Sequence, residues 1–324
     1  MPINRVLVTG GAGFIGSHAA DALLAEGCAV EIVDDLSSGK LANLPAGARL
    51  HRLDIRSEDA ARLVRDGDFD AVVHLAAQMD VRRSVAEPLF DADVNVRGTL
   101  NLLEAVRASA KRPRIVFAST GGAIYGDHTR PPNEETTPKE PDSPYAVSKL
   151  AAEHYLAYYA RIHGLETLSL RFANVYGPRQ DPHGEAGVVA IFCSRLLAGE
   201  PLTVFGDGLQ TRDYVNVIDV ADAIRRALHL RLDGAPRIDA RAFNIGTGVP
   251  TSVLQLAAVL KDASGVDVPI QFAPRRAGEQ QDSFVRVDRA RTELGWSPRV
   301  ALDEGLGDTF AWFAARANAA ATTS

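Results

Sequence analysis

Cysteine is nearly absent: Cys28 and Cys193 are the only two in 324 residues. Neither sits at metal-ligand spacing, and two such thiols build no disulfide framework, so a reducing compartment, the cytoplasm, is expected. Positive charge is not in excess either. The formal net charge is −6 and the pI about 5.8, which argues against nucleic-acid or membrane-surface partners, since both want a basic patch. No apolar run reaches the ~18 residues a membrane span needs. The first strand-like run begins within a few residues of Met1, which leaves no room for a signal peptide. Internal repeats, low-complexity segments and a long flexible linker are also missing. What remains is a chain 46% apolar and 23% charged, suited to one globular unit or to a large domain with a smaller partner.

The first half alternates strand and helix. Arg5–Thr9, Val30–Asp34, Leu50–Asp54, Ala71–Leu75, Ile115–Ser119 and Thr167–Phe172 read as short, β-branched-rich buried strands. Phe14–Glu26, Asp91–Ala108 and Tyr145–Ile162 read as helices between them. This alternation predicts an α/β fold with a Rossmann-type, doubly wound parallel sheet whose ligand lies beyond the carboxyl ends of the strands. Beyond Phe172 the pattern loosens. Val175–Glu185 reads as a loop, Val188–Leu197 as a helix, Pro201–Phe205 as a strand, Val220–Leu230 as a helix and Phe243–Ile245 as a sheet segment. Ser252 with Gln255 forms a capping box before the helix Val253–Ala263, and Leu302–Arg316 is a final amphipathic helix. The expected division is a dinucleotide-binding domain over 1–173, with 215–246 returning to it. A smaller, partly interleaved α/β substrate domain covers 174–318, and 319–324 is a frayed tail.

Gly10, Gly13 and Gly16 follow the first strand and open a helix. Glycines there allow a tight turn, close approach to a pyrophosphate and close helix–strand packing, while the helix N-terminus, including Phe14 and Ile15, offers free N–H groups. Asp34 ends the second strand roughly 20 residues on, where an acid can bond both ribose hydroxyls and repel a 2′-phosphate, which predicts NAD rather than NADP. Asp54 and Ile55 close the third strand, where they either hold the adenine or serve a helix cap ahead of Ser57. Leu75, Ala76, Ala77 and Gln78 close the fourth, and small residues there admit a cofactor. Tyr145 and Lys149 are four apart on one helix face. A free phenol titrates near pH 10; a neighbouring ammonium is expected to lower that value, so the pair can take a proton from a sugar or alcohol hydroxyl. Taken alone, Tyr-x-x-x-Lys also fits an ordinary helix surface.

These motifs resemble the extended short-chain dehydrogenase/reductase family, and within it the UDP-glucose 4-epimerases and related nucleotide-sugar epimerases. The likeness covers nearly the whole chain. It runs through Val8–Gly16, His74–Ala77, Asn95–Thr99, Ser143–Tyr145, Arg171–Asn174, Tyr176–Arg179, Gly206–Gly208, Arg212–Tyr214, Phe243–Gly246 and Leu294–Trp296. The resemblance implies Tyr145 as acid/base, Lys149 as its partner and a ligand of the nicotinamide ribose, and Asn95 as support for the cofactor site. It implies a UDP-hexose held by Asn174, Val189, Phe205, Arg212, Tyr214, Arg276 and Glu279, no metal, and a homodimer formed through the helices over Asp91–Ala108 and Tyr145–Ile162.

Three departures qualify it. The family's hydroxyl four residues before the Tyr of its V-Y-G signature falls at Gly121, so Thr120 or Ser119 must supply it. Dehydratases and decarboxylases of the family carry an acid two or three positions before that Tyr, where this chain has Gly122 and Ala123. A bulky Tyr that closes the sugar pocket in some relatives is replaced by Ser283, which leaves room for an N-acetyl group. The expected reaction is inversion at C4 of a UDP-hexose, interconverting UDP-glucose and UDP-galactose through a 4-keto sugar with NAD. A UDP-glucuronate decarboxylase or 4,6-dehydratase on the same scaffold, a 4-epimerase of uronic acids or pentoses, and a non-catalytic NAD-binding sensor stay open.

Overall fold

The structure, a computed structural model, describes residues 3–183, 187–232, 237–275 and 280–322. The cofactor half is built by β1 (Arg5–Thr9), α1 (Phe14–Ala25), β2 (Ala29–Val33), β3 (Arg49–His51), α2 (Glu58–Asp66) and β4 (Ala71–His74). It continues through α3 (Val81–Ala86), α4 (Pro88–Ala92), a π-helical turn over Asp93–Arg97, α5 (Gly98–Ala108), β5 (Arg114–Thr120), α6 (Pro144–His163) and β6 (Thr167–Phe172). Then come β7 (Asn174–Tyr176), α7 (Val188–Leu197), β8 (Leu202–Phe205), β9 (Thr211–Asn216), α8 (Val217–His229) and β10 (Ala242–Ile245). The chain ends with β11 (Pro250–Ser252), α9 (Val253–Ser264), β12 (Ile270–Ala273), β13 (Asp282–Ser283), α10 (Asp288–Thr292) and α11 (Leu302–Thr322).

The main sheet has seven strands in the order β10-β6-β5-β4-β1-β2-β3, all parallel. Strand order reverses between β1 and β4, the switch point at which a doubly wound sheet opens its ligand crevice. Apolar side chains cover both faces, as a parallel sheet requires. One layer packs Val6, Val8, Leu23, Leu170, Ile224 and Trp296, and the other packs Leu7, Val72, Phe117, Leu102 and Leu156. A third core, with Phe192, Leu202, Leu256, Leu260 and Phe313, lies under α7, α9 and α11. β10 joins the edge of the main sheet beside β6 after the chain has passed through β7, β8 and β9.

Several expectations need correction. Asp34 and Asp54 lie beyond their strands, which end at Val33 and His51. Asn174–Tyr176, expected as the lip of a loop, pairs with β9 as a strand. α11 continues through Asn318 to Thr322, where a frayed tail was expected, because an alanine-rich run favours helix. The single helix expected over Asp91–Ala108 is broken by the π turn. Each residue of a regular helix advances about 100°, so four-residue spacings drift around the cylinder. The π turn resets that phase, and Asp91, Asn95 and Thr99 are all buried.

α6 is stopped firmly at both ends. The Ser143 hydroxyl accepts the Ala146 N–H at 3.3 Å, Pro144 stands in the first turn, and Gly164 closes the helix at φ 68°. Its third turn buries Glu153 against Arg171 of β6, with both side chains 0% exposed and 2.7 Å apart. Arg171 also donates to Tyr125 Oη at 3.2 Å, to Glu135 O at 2.8 Å and to Asp239 at 3.1 Å. Tyr125 donates in turn to Asn244 of β10 at 2.7 Å.

Candidate active site

The glycine turn after β1 is packed so that side chains cannot enter. A Cβ on Gly10 (φ 72°) would stand 2.7 Å from Ala76 N, and one on Gly16 would stand 2.1 Å from Gly10 O. The N-terminus of α1 at Gly13 has no side-chain cap, and Gly13, Phe14 and Ile15 remain partly exposed. Asp34 reaches over this turn, accepting the N–H of Ala12 and that of Leu36, both at 2.9 Å. Burial pushes its carboxyl above the usual range, and those two bonds oppose the shift. A strap over Gly177–Asp181 is fastened to this half. His18 Nε2 donates to Pro178 O at 2.9 Å, Arg179 pairs with Asp21 at 2.6 Å, and Lys40 pairs with Asp181 at 2.8 Å. An uncapped helix end, a glycine cradle and a carboxylate at the end of β2 fit the pyrophosphate and ribose of a dinucleotide. Gly16→Ala is therefore expected to force the turn open and weaken NAD binding at least about tenfold, or ~1.4 kcal/mol. Isothermal titration of the cofactor-free protein checks this, and unchanged affinity would refute the fit.

Asp54 and Ile55 follow β3. The Asp54 carboxylate is taken by Arg56, at 3.0 Å to Nε, and that bond holds it below the usual carboxylate range. Ser57 itself caps α2, accepting the Ala60 N–H at 3.1 Å. Ile55 is buried beside Gly98. The Asp54 side chain remains a third exposed.

At the end of β4, a chain of hydroxyls fixes the cofactor wall. Thr99 donates to Asn95 O at 2.6 Å, so its oxygen accepts from His74 Nε2 at 3.0 Å. Thr9 accepts the N–H groups of Leu75 and Ala76, both at 3.2 Å, and donates to His74 Nδ1 at 2.7 Å. This arrangement assigns the proton to Nε2 and needs a neutral ring. Burial, and then the Lys149 charge, push the His74 pKa down to about 3. An unfolded histidine takes up its proton near pH 6.5. The unfolded state therefore binds more protons between about pH 6.5 and 3, and stability falls as pH drops through that window. The slope contributed is up to about 1.4 kcal/mol per unit. His74→Gln should flatten that slope in denaturant midpoints measured against pH; an unchanged slope would show that other groups set it. Leu75, Ala76 and Ala77 line the partly exposed wall and Gln78 is buried behind it. Gln78 is locked to Asn95 by a pair of bonds: its N–H donates to Asn95 Oδ1 at 2.9 Å, and Asn95 Nδ2 donates to Gln78 O at 2.8 Å.

Tyr145 and Lys149 face β5 from α6. Lys149 Nζ donates to Ala118 O at 2.9 Å and lies 4.7 Å from the Phe117 ring centroid and 6.0 Å from that of Tyr145. The expected lowering of the phenol by the ammonium is reversed in the protein alone. Burial, followed by the Asp91 charge, pushes Tyr145 above its ordinary value. Burial also brings Lys149 down to about 8, opposed by Asp91 and Glu153. Thr120 and Ser119 lie on opposite faces of β5. Ser119 is buried, its hydroxyl without a hydrogen-bond partner among the described residues, while Thr120 stays partly exposed at the strand end.

The substrate-side residues gather around Gly122. A Cβ there would lie 3.9 Å from Thr120 Oγ1 and 3.4 Å from Asn174 Oδ1. Ser283 donates to Gly122 O at 3.3 Å. Ser283 registers with Arg212, and Tyr214 with Asn174. Arg212 donates to Thr211 O at 2.7 Å and Gln280 O at 2.9 Å. Tyr214 is buried in the third core, Asn174 is exposed, and Phe205 is partly exposed. Val189 is 1% exposed in that same core, so its side chain packs rather than lining a pocket. Arg276 and Glu279 lie outside the described residues. Gly121 cannot simply be given back a hydroxyl, since its Cβ would stand 2.9 Å from Arg171 O.

Sequence reasoning missed Asp91 and Ser148, both buried beside the Tyr145–Lys149 pair. A carboxylate early in a helix reads as a solvated cap, and only the four-residue spacing Asp91, Asn95, Thr99 hinted otherwise.

Residues 6–246 match the NAD dependent epimerase/dehydratase family. The UDP-glucose 4-epimerase of Mycolicibacterium smegmatis is 46% identical, over 95% of this chain and 98% of its own. Among solved structures, UDP-glucose 4-epimerase of Thermotoga maritima with UDP-glucose superposes at a TM-score of 0.91. It is 44% identical and covers 97% of this chain and 99% of its own. The Thermus thermophilus UDP-glucose 4-epimerase in complex with NAD superposes at 0.88 with 45% identity, covering 96% and 99%.

Proposed function

The chain belongs to the NAD dependent epimerase/dehydratase family, and on that premise we propose that it is an isomerase. It interconverts UDP-glucose and UDP-galactose by inversion at C4, with NAD as cofactor. The observation that carries this reading is the Tyr145–Lys149 pair beside a pocket lip whose positions 122 and 123 are Gly and Ala. Loss of water or carbon dioxide needs a further acid/base group, and the lip supplies none at those positions. Simple oxidation at C4 and its reversal need only one proton carrier.

The glycine turn and the N-terminus of α1 hold the pyrophosphate of NAD, Asp34 its adenosine ribose, and Lys149 the second ribose. Bound there, NAD would supply a hydride acceptor for the sugar C4 that can also give hydride back, and its oxidised nicotinamide would carry positive charge. Tyr145, as phenolate, takes the 4-hydroxyl proton while the sugar becomes a 4-keto sugar. Lys149 keeps positive charge beside that phenolate. Thr120 offers its hydroxyl to the 4-oxygen from the end of β5. Arg212 and Asn174, with Arg276 and Glu279, hold the UDP, so the keto sugar can turn about its diphosphate before Tyr145 gives the proton back.

Incubation of the purified protein with UDP-galactose, followed by sugar-resolved chromatography and mass detection, tests the reading. An isobaric gluco product is expected. A product lighter by water or carbon dioxide, or no product with NAD present, would overturn it. Ser283, small and bonded to Gly122 O, stands where some relatives carry a bulky Tyr, and on that ground UDP-N-acetylgalactosamine is a second substrate to test.

A homodimer is the assembly this reading implies. Val147, Tyr155, Tyr158 and Ile162 of α6 are 40–58% exposed, and Leu89 of α4 is 87% exposed. An apolar stripe of this kind favours a helix-to-helix partner. Two buried free thiols, Cys28 and Cys193, support a reducing, cytoplasmic setting. Among the described residues no helix is long and apolar enough to cross a membrane.

A further inference from the structure

Asp91 is fully buried, and its carboxylate meets three neutral donors. Ser148 Oγ donates to Oδ2 at 2.6 Å, and Gln78 Nε2 and Asn95 Nδ2 donate to Oδ1, both at 3.0 Å. A buried charge held by neutral donors is costly, so a fold that keeps one is using it for something besides packing. The three donors come from three separate parts of the site. Gln78 ends the cofactor wall after β4, Asn95 sits in the π turn, and Ser148 lies on α6 between Tyr145 and Lys149. Charge-assisted bonds are shorter and stronger than neutral ones, and one carboxylate makes all three. Asp91 and Asn95, four residues apart, share one helix face, and Asn95 Nδ2 reaches back one turn to Asp91.

We propose that Asp91 is a positioning residue for the proposed epimerisation: it pins the Tyr145–Lys149 turn of α6 to the wall that receives the nicotinamide half of NAD, and its charge biases the proton held by that pair. The inference rests on the reading given under Proposed function. The groups facing the pair are few. Asp91 approaches from α4 and Glu153 from the next turn of α6, where Arg171 of β6 binds it; His74 of β4 is neutral. Charges on the outer faces of α3 and α5 pair with one another at the surface, Arg83 with Glu87 and Arg107 with Glu104. The Asp91 charge pushes both Tyr145 and Lys149 upward. Lys149, brought down by burial, is thereby held nearer its ammonium form.

Asp91→Asn keeps the shape and can keep all three bonds, its amide oxygen accepting from Gln78 and Asn95 and its amide donating to Ser148. It removes only the charge. Both limbs of the kcat/KM profile with UDP-galactose should move to lower pH by about half a unit or more. kcat at neutral pH should fall roughly 10–100-fold with KM changed little. Asp91→Ala should lose more kcat than Asp91→Asn, and Ser148→Ala should lower kcat without moving the limbs. A profile lowered in height but unmoved in Asp91→Asn would overturn the proposal and leave Asp91 as packing. NAD titration of the same variants reads the wall without turnover: Asp91→Ala should weaken binding several-fold and Asp91→Asn less. Equal, unchanged affinities would overturn the link to the wall. Inactivity of the wild-type protein toward UDP-galactose would instead sink the functional reading, with the cofactor titration still deciding the role of Asp91.

Discussion

Tyr145→Phe is expected to lower kcat for UDP-galactose by about 10²–10⁴-fold, the usual contribution of a positioned general acid/base. KM and NAD affinity should hardly change. The ring keeps its place at the start of α6, whose N-terminus is set by Ser143 and Pro144. Its hydroxyl, unlike those of Tyr125 and Tyr159, takes no part in the hydrogen bonding among the described residues. Removing it therefore deletes the proposed proton carrier and little else. The raised phenol of the protein alone sharpens the expectation. Ionisation has to be brought about by the charges around the oxygen, so a second residue cannot readily take over the task. The measurement is a single-turnover and steady-state comparison with wild type at several pH values. Residual activity within tenfold of wild type, or loss of NAD together with activity, would defeat the assignment.

Arg171→Met is expected to destabilise the protein by about 3–5 kcal/mol, the cost of leaving a buried ion without its partner. Glu153 and Arg171 are both fully enclosed, so the orphaned carboxylate must protonate or draw water into the sheet. The loss does not stop there. The guanidinium also satisfies Tyr125 Oη, Glu135 O and Asp239, and so ties α6, β6, β10 and the segment after β5 to one another. Chemical denaturation followed by circular dichroism gives the midpoint. Arg171→Met combined with Glu153→Leu should recover much of the loss, because an apolar pair has no charge to bury. A single variant as stable as wild type would mean that water reaches Glu153 with ease.

Some strands could be read to their exact ends from residue types alone. Arg5–Thr9 and Thr167–Phe172 begin and end where their apolar, β-branched runs do. The second and third strands stop short because their acids are employed elsewhere, Asp34 on the backbone of Ala12 and Leu36, and Asp54 on Arg56. The capping box at Ser252 was legible because capping is local. The π turn was not: periodicity across Asp91–Ala108 is nearly helical, and the extra residue is felt only through contacts with β4 and α6. The same limit hid Asp91, whose partners lie 13 and 57 positions away in the chain as well as one turn on. In the site, the glycine turn, Asp34 and the Tyr145–Lys149 pair follow from short motifs with a mechanism. The environment of that pair did not follow, since burial by distant elements sets the direction of its protonation.

The late arrival of β10 at the edge of the main sheet has a bearing on how the chain is made. Residues 5–172 supply six of the seven parallel strands and leave the ribosome first. Until residues 242–245 emerge, β6 has an open edge, and Asn244 cannot yet receive the Tyr125 hydroxyl. An open parallel edge of apolar residues is a template for pairing with another nascent chain. Residues 173–241 are thus translated in the interval when the six-stranded sheet is most exposed to misassembly. Pairing of β10 moves that edge outward from the six-residue β6 to the four-residue β10, and a shorter edge offers a neighbour less to pair with.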